Sequence, residues 1–304
     1  MDFSKLSQED LIKKIKHPGR KIRMVLDTDT YNEVDDQFAL AYALKSPQEM
    51  SVEAIYAAPF HNDRSTGPKD GMEKSYQEIF NILNLMGIKR ENFVFKGSTG
   101  YLEDTSTPKD SEAVQDLIKK AKQSSEDDPL YVVAIGAITN VASAILREPG
   151  IIKKIVVIWL GGNSFNWPNT KEFNLIQDVD ASRLIFDCGV PLIQLPCMGV
   201  VSHLHTSVPE LEQFLYGKSE LGSYLTEIVR NYTDDLYGWS KIIWDIATIA
   251  WLINPDWVNS SIVHSPILTD QGTWSFDNKR HFIRSATYLN RDRIFADMFR
   301  KLSD

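Results

Sequence analysis

Residues 25–40 read "VLDTDTYNEVDDQFAL" and gather four aspartates and one glutamate within ten positions. An apolar run predicts a buried strand ending at Asp27 and Asp29, and an apolar repeat predicts a helix beginning at Asp35 and Asp36. Strand alternation places Asp27 and Asp29 on one side of the chain. A helix dipole stabilises a carboxylate by only about 0.3–1 kcal/mol, too little to hold several carboxylates beside an apolar core. A hard divalent cation, which prefers oxygen ligands, would offset their repulsion.

Two other interpretations of this stretch stay open. Asp35 and Asp36 on their own are typical of capping, solvated residues in a first helical turn. A strand followed by D-x-D is also how phosphatases of the haloacid dehalogenase type begin, with Asp27 as the nucleophile. The Thr30-Tyr31 pair departs from that pattern, and no acidic pair follows a later strand, so the phosphatase is the minor hypothesis.

Three later segments carry groups that could join an aspartate site. "VVAIGAITNVASAI" (132–145) predicts a strand, a glycine turn and a helix that Thr139 or Asn140 could cap. "LGGNSFNWPNTKEFN" (160–174) brings four amide side chains and Glu172, the groups that bind sugar hydroxyls, although asparagines are also common in loops. Trp244 and Asp245 open an apolar helix, where an indole ring could stack on a planar leaving group.

The elements that must position these residues alternate between strand and helix. Apolar runs predict strands at 22–27, 51–58, 92–97, 130–136, 154–162 and 190–196. Helical periodicity after residue 35 and over 72–87, 110–123 and 139–150 fills the intervals between most of them. Such alternation predicts an α/β fold with a mostly parallel central sheet flanked by helices. In open α/β sheets ligands collect beyond the carboxyl ends of the strands, where these polar segments lie.

The last third of the chain has a different pattern. Long helices are predicted over 221–241 and 245–255, followed by a β-leaning stretch after Pro255 and a terminal helix over 290–302. Neither a linker nor an internal repeat separates these parts. We therefore expect one domain over 1–304, with its core motifs within 22–255 and with 256–304 as part of the same domain.

The composition limits the classes of partner. The chain has 304 residues, 43% of them hydrophobic, and a formal net charge of −8 with a pI near 5.3. That charge argues against nucleic acid or an anionic membrane as the main partner. Cys188 and Cys197 lack disulfide or metal-site spacing and are expected to be buried thiols. With no secretory signal or membrane-length apolar stretch in the sequence, we expect a cytoplasmic protein.

Taken in order, four segments resemble the motifs of the nucleoside hydrolase family, the inosine–uridine-preferring ribohydrolases. "DTDTYNEVDD" keeps the four aspartates of the family motif D-x-D-P-G-x-D-D, with a linker two residues longer in place of Pro-Gly. "IGAITN", "GGNSFNWPNTKEFN" and the Trp244-Asp245 pair match the other three motifs across roughly residues 22–255. The resemblance implies a single nucleoside-hydrolase-like domain with a Rossmann-related open sheet.

The resemblance also implies an activity and a cofactor. The expected reaction is Ca²⁺-dependent hydrolysis of the N-glycosidic bond of a ribonucleoside or related riboside to free base and ribose. A metal-bound water would be the nucleophile, with Asp29 as its general base. The implied calcium ligands are Asp29, Asp36, Asp245 and the main-chain oxygen of Ile135. Asp27 would orient this cluster from behind.

The implied substrate contacts surround the ribose. Asp35, Asn174 and Asp245 would hold the 2′- and 3′-hydroxyls, and Asn166 and Glu172 the 5′-hydroxyl. Trp244 would stack on the leaving base, and either His61 or Asn62 would contact the sugar. The implied partners are a small-molecule riboside and further copies of the chain, as a homodimer or homotetramer.

The base and the group that protonates it stay unassigned. The longer linker (residues 30–34) and the short segment after "FKGSTGYL" also leave open a riboside-binding protein with weak catalysis.

Overall fold

A computed structural model of the chain describes residue 3 and residues 6–303. The strands are β1 Ile22–Thr28, β2 Met50–Ala57, β3 Val94–Lys96, β4 Leu130–Ala134, β5 Ile155–Leu160, β6 Leu192–Leu195, β7 His205–Thr206, β8 Lys241–Ile242, β9 Val258–His264, β10 Ile267–Leu268, β11 Trp274–Ser275 and β12 Phe282–Leu289. The α-helices are α1 Gln8–Lys14, α2 Asp36–Leu44, α3 Pro68–Leu85, α4 Glu112–Gln123, α5 Thr139–Arg147, α6 Phe173–Gln177, α7 Val179–Asp187, α8 Val208–Phe214, α9 Glu220–Arg230, α10 Ile246–Ile253 and α11 Arg291–Ser303. Short 3₁₀ helices span Pro149–Lys154, Val201–His203 and Pro255–Trp257.

The main sheet has eight strands in the order β3-β2-β1-β4-β5-β6-β12-β9. Every neighbouring pair is parallel except β12 with β9. Alternate residues of β1 enter separate apolar cores, Met24 and Leu26 on one face and Val25 on the other. Helices therefore cover both faces, and the predicted α/β fold with a mostly parallel sheet is confirmed.

The strand order reverses between β1 and β4. The chain moves outward from β1 through β2 to β3 and then returns to place β4 on the other side of β1. Asp27 lies beside Ala134 in this pairing, and the N–H of Ile135 donates to the Asp27 carbonyl oxygen at 2.8 Å. A reversal of this kind opens a crevice at the carboxyl ends of the two strands. The aspartate-rich stretch begins at that crevice.

The helix predicted over 221–241 is wrong in its second half. α9 ends at Arg230, and residues 231–240 form turns before β8. Thr233 and Asp235 accept hydrogen bonds from nearby backbone N–H groups, at 3.4 Å from Asp235 and 2.9 Å from Tyr237. Such local bonds compete with helix formation. The helix therefore ends at Arg230, although the apolar periodicity continues beyond it.

The other predictions for the C-terminal third agree with the structure. α10 fills the helix predicted over 245–255, and α11 closes the described chain. The β-leaning stretch supplies β9 to β12, of which β9 and β12 extend the main sheet. Both cysteines are buried free thiols, as expected. Among residues 6–303, no helix has the length and apolarity that crossing a membrane requires.

Candidate active site

A cavity of about 280 Å³ opens at the carboxyl ends of the central strands. Three buried carboxylates in its wall, Asp35, Asp36 and Asp245, have oxygen atoms within 4.8 Å of one another. Asp29 is also fully buried and lies close enough to Asp36 for its carboxyl group to interact with it. We call these four residues the carboxylate floor. The structure thus brings together aspartates that are about 200 positions apart in the sequence.

Two of the floor residues occupy helix N-cap positions without capping. Asp35 precedes α2 and Asp245 precedes α10, yet neither side chain accepts a hydrogen bond from its own helix. Asp35 Oδ2 instead accepts from the backbone N–H of Trp244 at 3.1 Å, which ties the two helix starts together. The capping interpretation is therefore wrong. These carboxylates forgo the usual cap bond and line the cavity.

Asp29 is the least satisfied residue of the floor. Neither of its carboxylate oxygens has a hydrogen-bond partner within residues 6–303, although the side chain is fully buried. A Cβ atom on Gly136 would lie 3.0 Å from Asp29 Cγ, so the turn after β4 passes close to this carboxylate. Asp36 differs, because it accepts from Thr28 Oγ1 at 2.5 Å. The orphaned oxygens of Asp29 indicate a missing partner.

Asn140 orients Asp27 behind the floor. Its Nδ2 donates to Asp27 Oδ1 at 2.8 Å, and its Oδ1 accepts from both the N–H and the hydroxyl of Ser98 at 2.8 Å. Asn140 therefore does not cap α5, whose N-cap is Ile138 without a side-chain bond. Thr139 does not cap it either, since its hydroxyl donates to a buried aspartate, Asp178, at 2.6 Å.

Burial raises the pKa values of these carboxyl groups. The pKa of Asp27 rises to about 7 through burial, and that of Asp36 to about 8 through burial and the charge of Asp35. The pKa values of Asp29 and Asp245 rise well above the usual range through burial and through the charges of the neighbouring aspartates. Repulsion and desolvation both disfavour the ionised forms. The ionised carboxylates of the floor are therefore unfavourable together unless a cation offsets their negative charge.

The donor atoms of the floor suit a hard divalent cation. They are carboxylate oxygens, and some of them are buried without any other partner. Ile135 also lines the cavity, and its carbonyl accepts from Asn174 Nδ2 at 3.2 Å. A carbonyl oxygen has a second lone pair, so that bond leaves room for a metal. The residues present therefore fit the metal site that the sequence predicts.

The wall beyond α6 holds two of the predicted sugar ligands. Asn174 is buried, and Glu172 lines the cavity beside it. The Glu172 carboxylate accepts from the N–H groups of Gly162, Asn174 and Leu175 at 2.8, 2.8 and 3.1 Å. Burial nevertheless raises the pKa of Glu172 to about 7, against the lowering effect of these donors. Glu172 thus combines a helix-capping role with a place in the cavity.

The structure does not bring Asn166 to the cavity. Its side chain is exposed, and its N–H donates to Ser164 Oγ at 3.3 Å. Asn163 lines the cavity instead, but its Nδ2 donates to the Asn169 carbonyl at 3.1 Å and its Oδ1 accepts from the Met198 N–H at 3.1 Å. In the sequence, only the two glycines before Asn163 indicated that this residue follows a strand.

The structure distinguishes between the two candidates after β2. His61 is exposed, whereas Asn62 lines the cavity. Asn62 Nδ2 donates to Asn32 Oδ1 at 2.6 Å, which joins it to the long linker. Asn32 and Glu33 of that linker line the cavity as well. We call Asn32, Glu33 and Asn62 the linker rim.

The linker rim is anchored by residues that the sequence did not indicate. Glu33 forms an ion pair with Lys241, and the Glu33 carbonyl accepts from Arg64 Nη1 at 2.9 Å. Lys241 is 208 positions away from Glu33. No local pattern relates residues so far apart, so only the tertiary structure identifies this pair. Trp244, predicted to stack on the base, is half-buried and lines the same cavity.

Comparisons with known proteins identify the family of this chain. Residues 24–296 match the family described as inosine-uridine preferring nucleoside hydrolase. The pyrimidine-specific ribonucleoside hydrolase RihA of Escherichia coli strain K12 is 26% identical over 262 residues, covering 77% of this chain and 80% of the relative.

Solved structures share the fold. A plant nucleoside hydrolase, the PpNRh1 enzyme, superposes with a TM-score of 0.75 at 20% identity over 93% of this chain and 99% of that chain. A purine-preferring ribonucleoside hydrolase from Gardnerella vaginalis gives 0.75 at 21% identity over 92% and 98%. With the match over residues 24–296, the family resemblance is confirmed, and the phosphatase hypothesis is set aside. The chain belongs to the inosine-uridine preferring nucleoside hydrolase family and is a hydrolase acting on N-glycosyl compounds.

Proposed function

We propose that this enzyme cleaves ribonucleosides to free base and ribose with Ca²⁺ as its cofactor and water as the nucleophile. One observation carries the proposal: Asp29 is fully buried beside other carboxylates, and both of its oxygens lack a partner in the described chain. Such a group is costly to folding unless a ligand or cation uses it.

Calcium would be held by the side chains of Asp29, Asp36 and Asp245 and by the Ile135 carbonyl. When bound, the ion would offset the carboxylate charges, lower the pKa of a water molecule that it contacts and favour binding of the ribose hydroxyls. Calcium accepts six to eight oxygen ligands in flexible geometry, which suits four protein ligands together with substrate and water.

Asp29 would act as the general base. Both of its carboxylate oxygens lack a hydrogen-bond partner in the described chain, so an oxygen is available to accept a proton from water. It would remove a proton from the attacking water as the water oxygen bonds to C1′ of the ribose. Breaking of the glycosidic bond leaves positive charge on the sugar, and the neighbouring carboxylates stabilise that charge.

The ribose would lie with its diol toward the floor. Asp35, Asp245 and Asn174 would bind the 2′- and 3′-hydroxyls, because carboxylates and amides place acceptors and donors where a diol needs them. Glu172 would accept a hydrogen bond from the 5′-hydroxyl, because a carboxylate can accept more bonds than the three that it already has. Asn166 would join it if the loop that carries Asn166 closes over the sugar.

The rest of the riboside would meet the rim and the aromatic wall. Asn62 would contact the sugar, and the half-buried Trp244 ring would stack on the base. Asp27 would stay behind the floor, oriented by Asn140. We propose the homodimer or homotetramer that the resemblance implies, which light scattering would test.

A panel of nucleosides with and without calcium tests this function. The panel contains purine and pyrimidine ribonucleosides, because the relatives include a pyrimidine-specific and a purine-preferring enzyme. We expect ribose release that a chelator abolishes and that calcium restores. Thermal stabilisation by a nucleoside without release of free base would contradict turnover and favour a binding protein. Full activity after exhaustive chelation would contradict the calcium cofactor.

A further inference from the structure

Glu33 is a charged residue that the resemblance does not account for. It lies in the linker that is two residues longer than the family motif, and its side chain is 33% exposed at the cavity wall. Two contacts fix it in place. Lys241 forms an ion pair with its Oε2, and Arg64 donates to its carbonyl oxygen.

Lys241 leaves half of the Glu33 carboxylate free. The Lys241 side chain is only 8% exposed, and its Nζ lies 4.5 Å from the centroid of the Tyr232 ring, so the ammonium group is held in one place. Only Oε2 of Glu33 is bound. Within residues 6–303 no donor bonds to Oε1. The result is a pre-positioned acceptor at the cavity wall, which loses little conformational entropy on binding a ligand.

The chemistry of a riboside places its base near this acceptor. In a β-ribonucleoside the 5′-carbon and the base lie on the same face of the furanose, but on the two different carbons, C4′ and C1′, that flank the ring oxygen. With the diol on the carboxylate floor and the 5′-hydroxyl toward Glu172, the base extends away from Glu172. The linker rim and Trp244 form parts of the cavity lining other than the carboxylate floor and Glu172.

We propose that Glu33, held by Lys241, is a specificity-determining residue that accepts a hydrogen bond from an exocyclic amino group of the nucleobase. This inference rests on the proposed function, because it assumes that a riboside occupies the cavity. Hydrogen bonds to a charged acceptor are among the stronger ones, and a substrate that lacks the donor leaves the acceptor poorly satisfied. Amino-bearing bases should therefore be preferred over the same bases without the amino group.

Matched substrate pairs test the proposal. Adenosine and purine riboside differ only in the 6-amino group, and cytidine and pyrimidin-2-one riboside differ only in the 4-amino group. Whichever pair the wild-type enzyme cleaves is compared as a ratio of kcat/KM values. In Glu33→Ala we expect that ratio to fall about tenfold, chiefly through slower cleavage of the amino-bearing substrate.

Two further variants separate recognition from linker anchoring. Glu53→Ala removes a comparable ion pair that lies outside the cavity, in which Arg23 Nε is 2.6 Å from Glu53 Oε1 and both side chains are partly exposed. This variant should leave the ratio unchanged. Lys241→Met should lower the ratio by a smaller factor than Glu33→Ala, because it frees the carboxylate without removing it. Unfolding temperatures measured for each variant show that it is folded.

Each result decides the inference. Equal losses on both members of a pair would mean that Glu33 only anchors the linker, and an unchanged ratio would mean that it does not contact the base. Either result would overturn the proposal. A wild-type enzyme that cleaves other nucleosides of the panel but neither pair would also overturn it. Failure of the proposed function is a different observation, since the wild-type enzyme would then release ribose from no nucleoside of the panel.

Discussion

The carboxylate floor and the linker rim border one cavity but are built differently. The floor is buried, its pKa values are raised, and its most buried member, Asp29, has no partner for either oxygen in the described chain. The rim is half-exposed, and its groups are paired: Asn62 with Asn32, and Glu33 with Lys241. The floor opposes folding in the absence of a cation, whereas the charge of Glu33 in the rim is offset by its pairing with Lys241. The comparison indicates that the floor is maintained for chemistry, while the rim is free to vary for specificity.

The largest effect is expected where the floor is least satisfied. Asp29→Asn removes the buried charge while keeping the shape of the side chain. Ribose release should fall about 10³-fold, because the general base is lost. In the presence of a chelator the variant should be more stable than the wild type by about 1–3 kcal/mol, because the wild type must either bury an unpaired charge at Asp29 or take up a proton there, and the variant does neither.

Scanning calorimetry in chelator and ribose assays in calcium measure these two effects. Asp63→Asn, at an exposed aspartate outside the cavity, is the matched control and should change neither quantity. A metal-free Asp29→Asn protein less stable than the wild type would show that Asp29 has a stabilising partner. The contrast between floor and rim would then fail.

A middle-sized effect is expected at Glu172, which shares features of both regions. Its pKa is raised from 4.5 to about 7 by burial, so the folded state binds the proton more tightly than the unfolded state. Its contribution to stability is therefore complete below about pH 4.5 and is lost as the pH rises to about 7. The loss corresponds to about 3 kcal/mol if the full shift applies.

Denaturant unfolding of the wild type and Glu172→Gln in saturating calcium, at several pH values from 4.5 to 7, isolates this contribution. The wild type should lose more unfolding free energy across that range than the variant. Parallel curves would mean that three backbone N–H donors keep Glu172 ionised throughout. Glu172 would then resemble the satisfied rim rather than the floor.

The smallest effect is expected at Asn166. Because its side chain is exposed and outside the cavity, Asn166→Ala should change KM for a nucleoside less than about threefold. Asn174→Ala, at a buried residue that donates to Ile135, should raise KM or lower kcat by at least tenfold. A tenfold rise in KM for Asn166→Ala would show that Asn166 contacts the sugar, as the family resemblance implies, and therefore that the loop carrying it closes over the cavity.

Local pattern was sufficient for much of the fold. The runs 24–26 of β1 and 130–134 of β4 are continuously apolar because a parallel strand is buried on both faces, and that continuity is visible in the sequence. α9 shows the limit of the same reasoning. Its periodicity continues past Arg230, but hydrogen bonds of Thr233 and Asp235 with nearby backbone atoms form turns instead.

The sequence by itself determined that aspartates end a central strand and begin a helix, and motif order identified the family. Residue type carries that information, because a cluster of carboxylates beside apolar runs is costly without a use. The family resemblance also grouped Asp245 with Asp35 and Asp36, which the structure brings together. Only the tertiary structure decided that Asn140 orients Asp27 and that Lys241 holds Glu33. These contacts join residues more than 100 positions apart, and their geometry depends on how β1, β4 and α10 pack. The longer linker was visible in the sequence, but its anchoring at the cavity wall depends on Lys241 and Arg64, which reach it only in the folded chain.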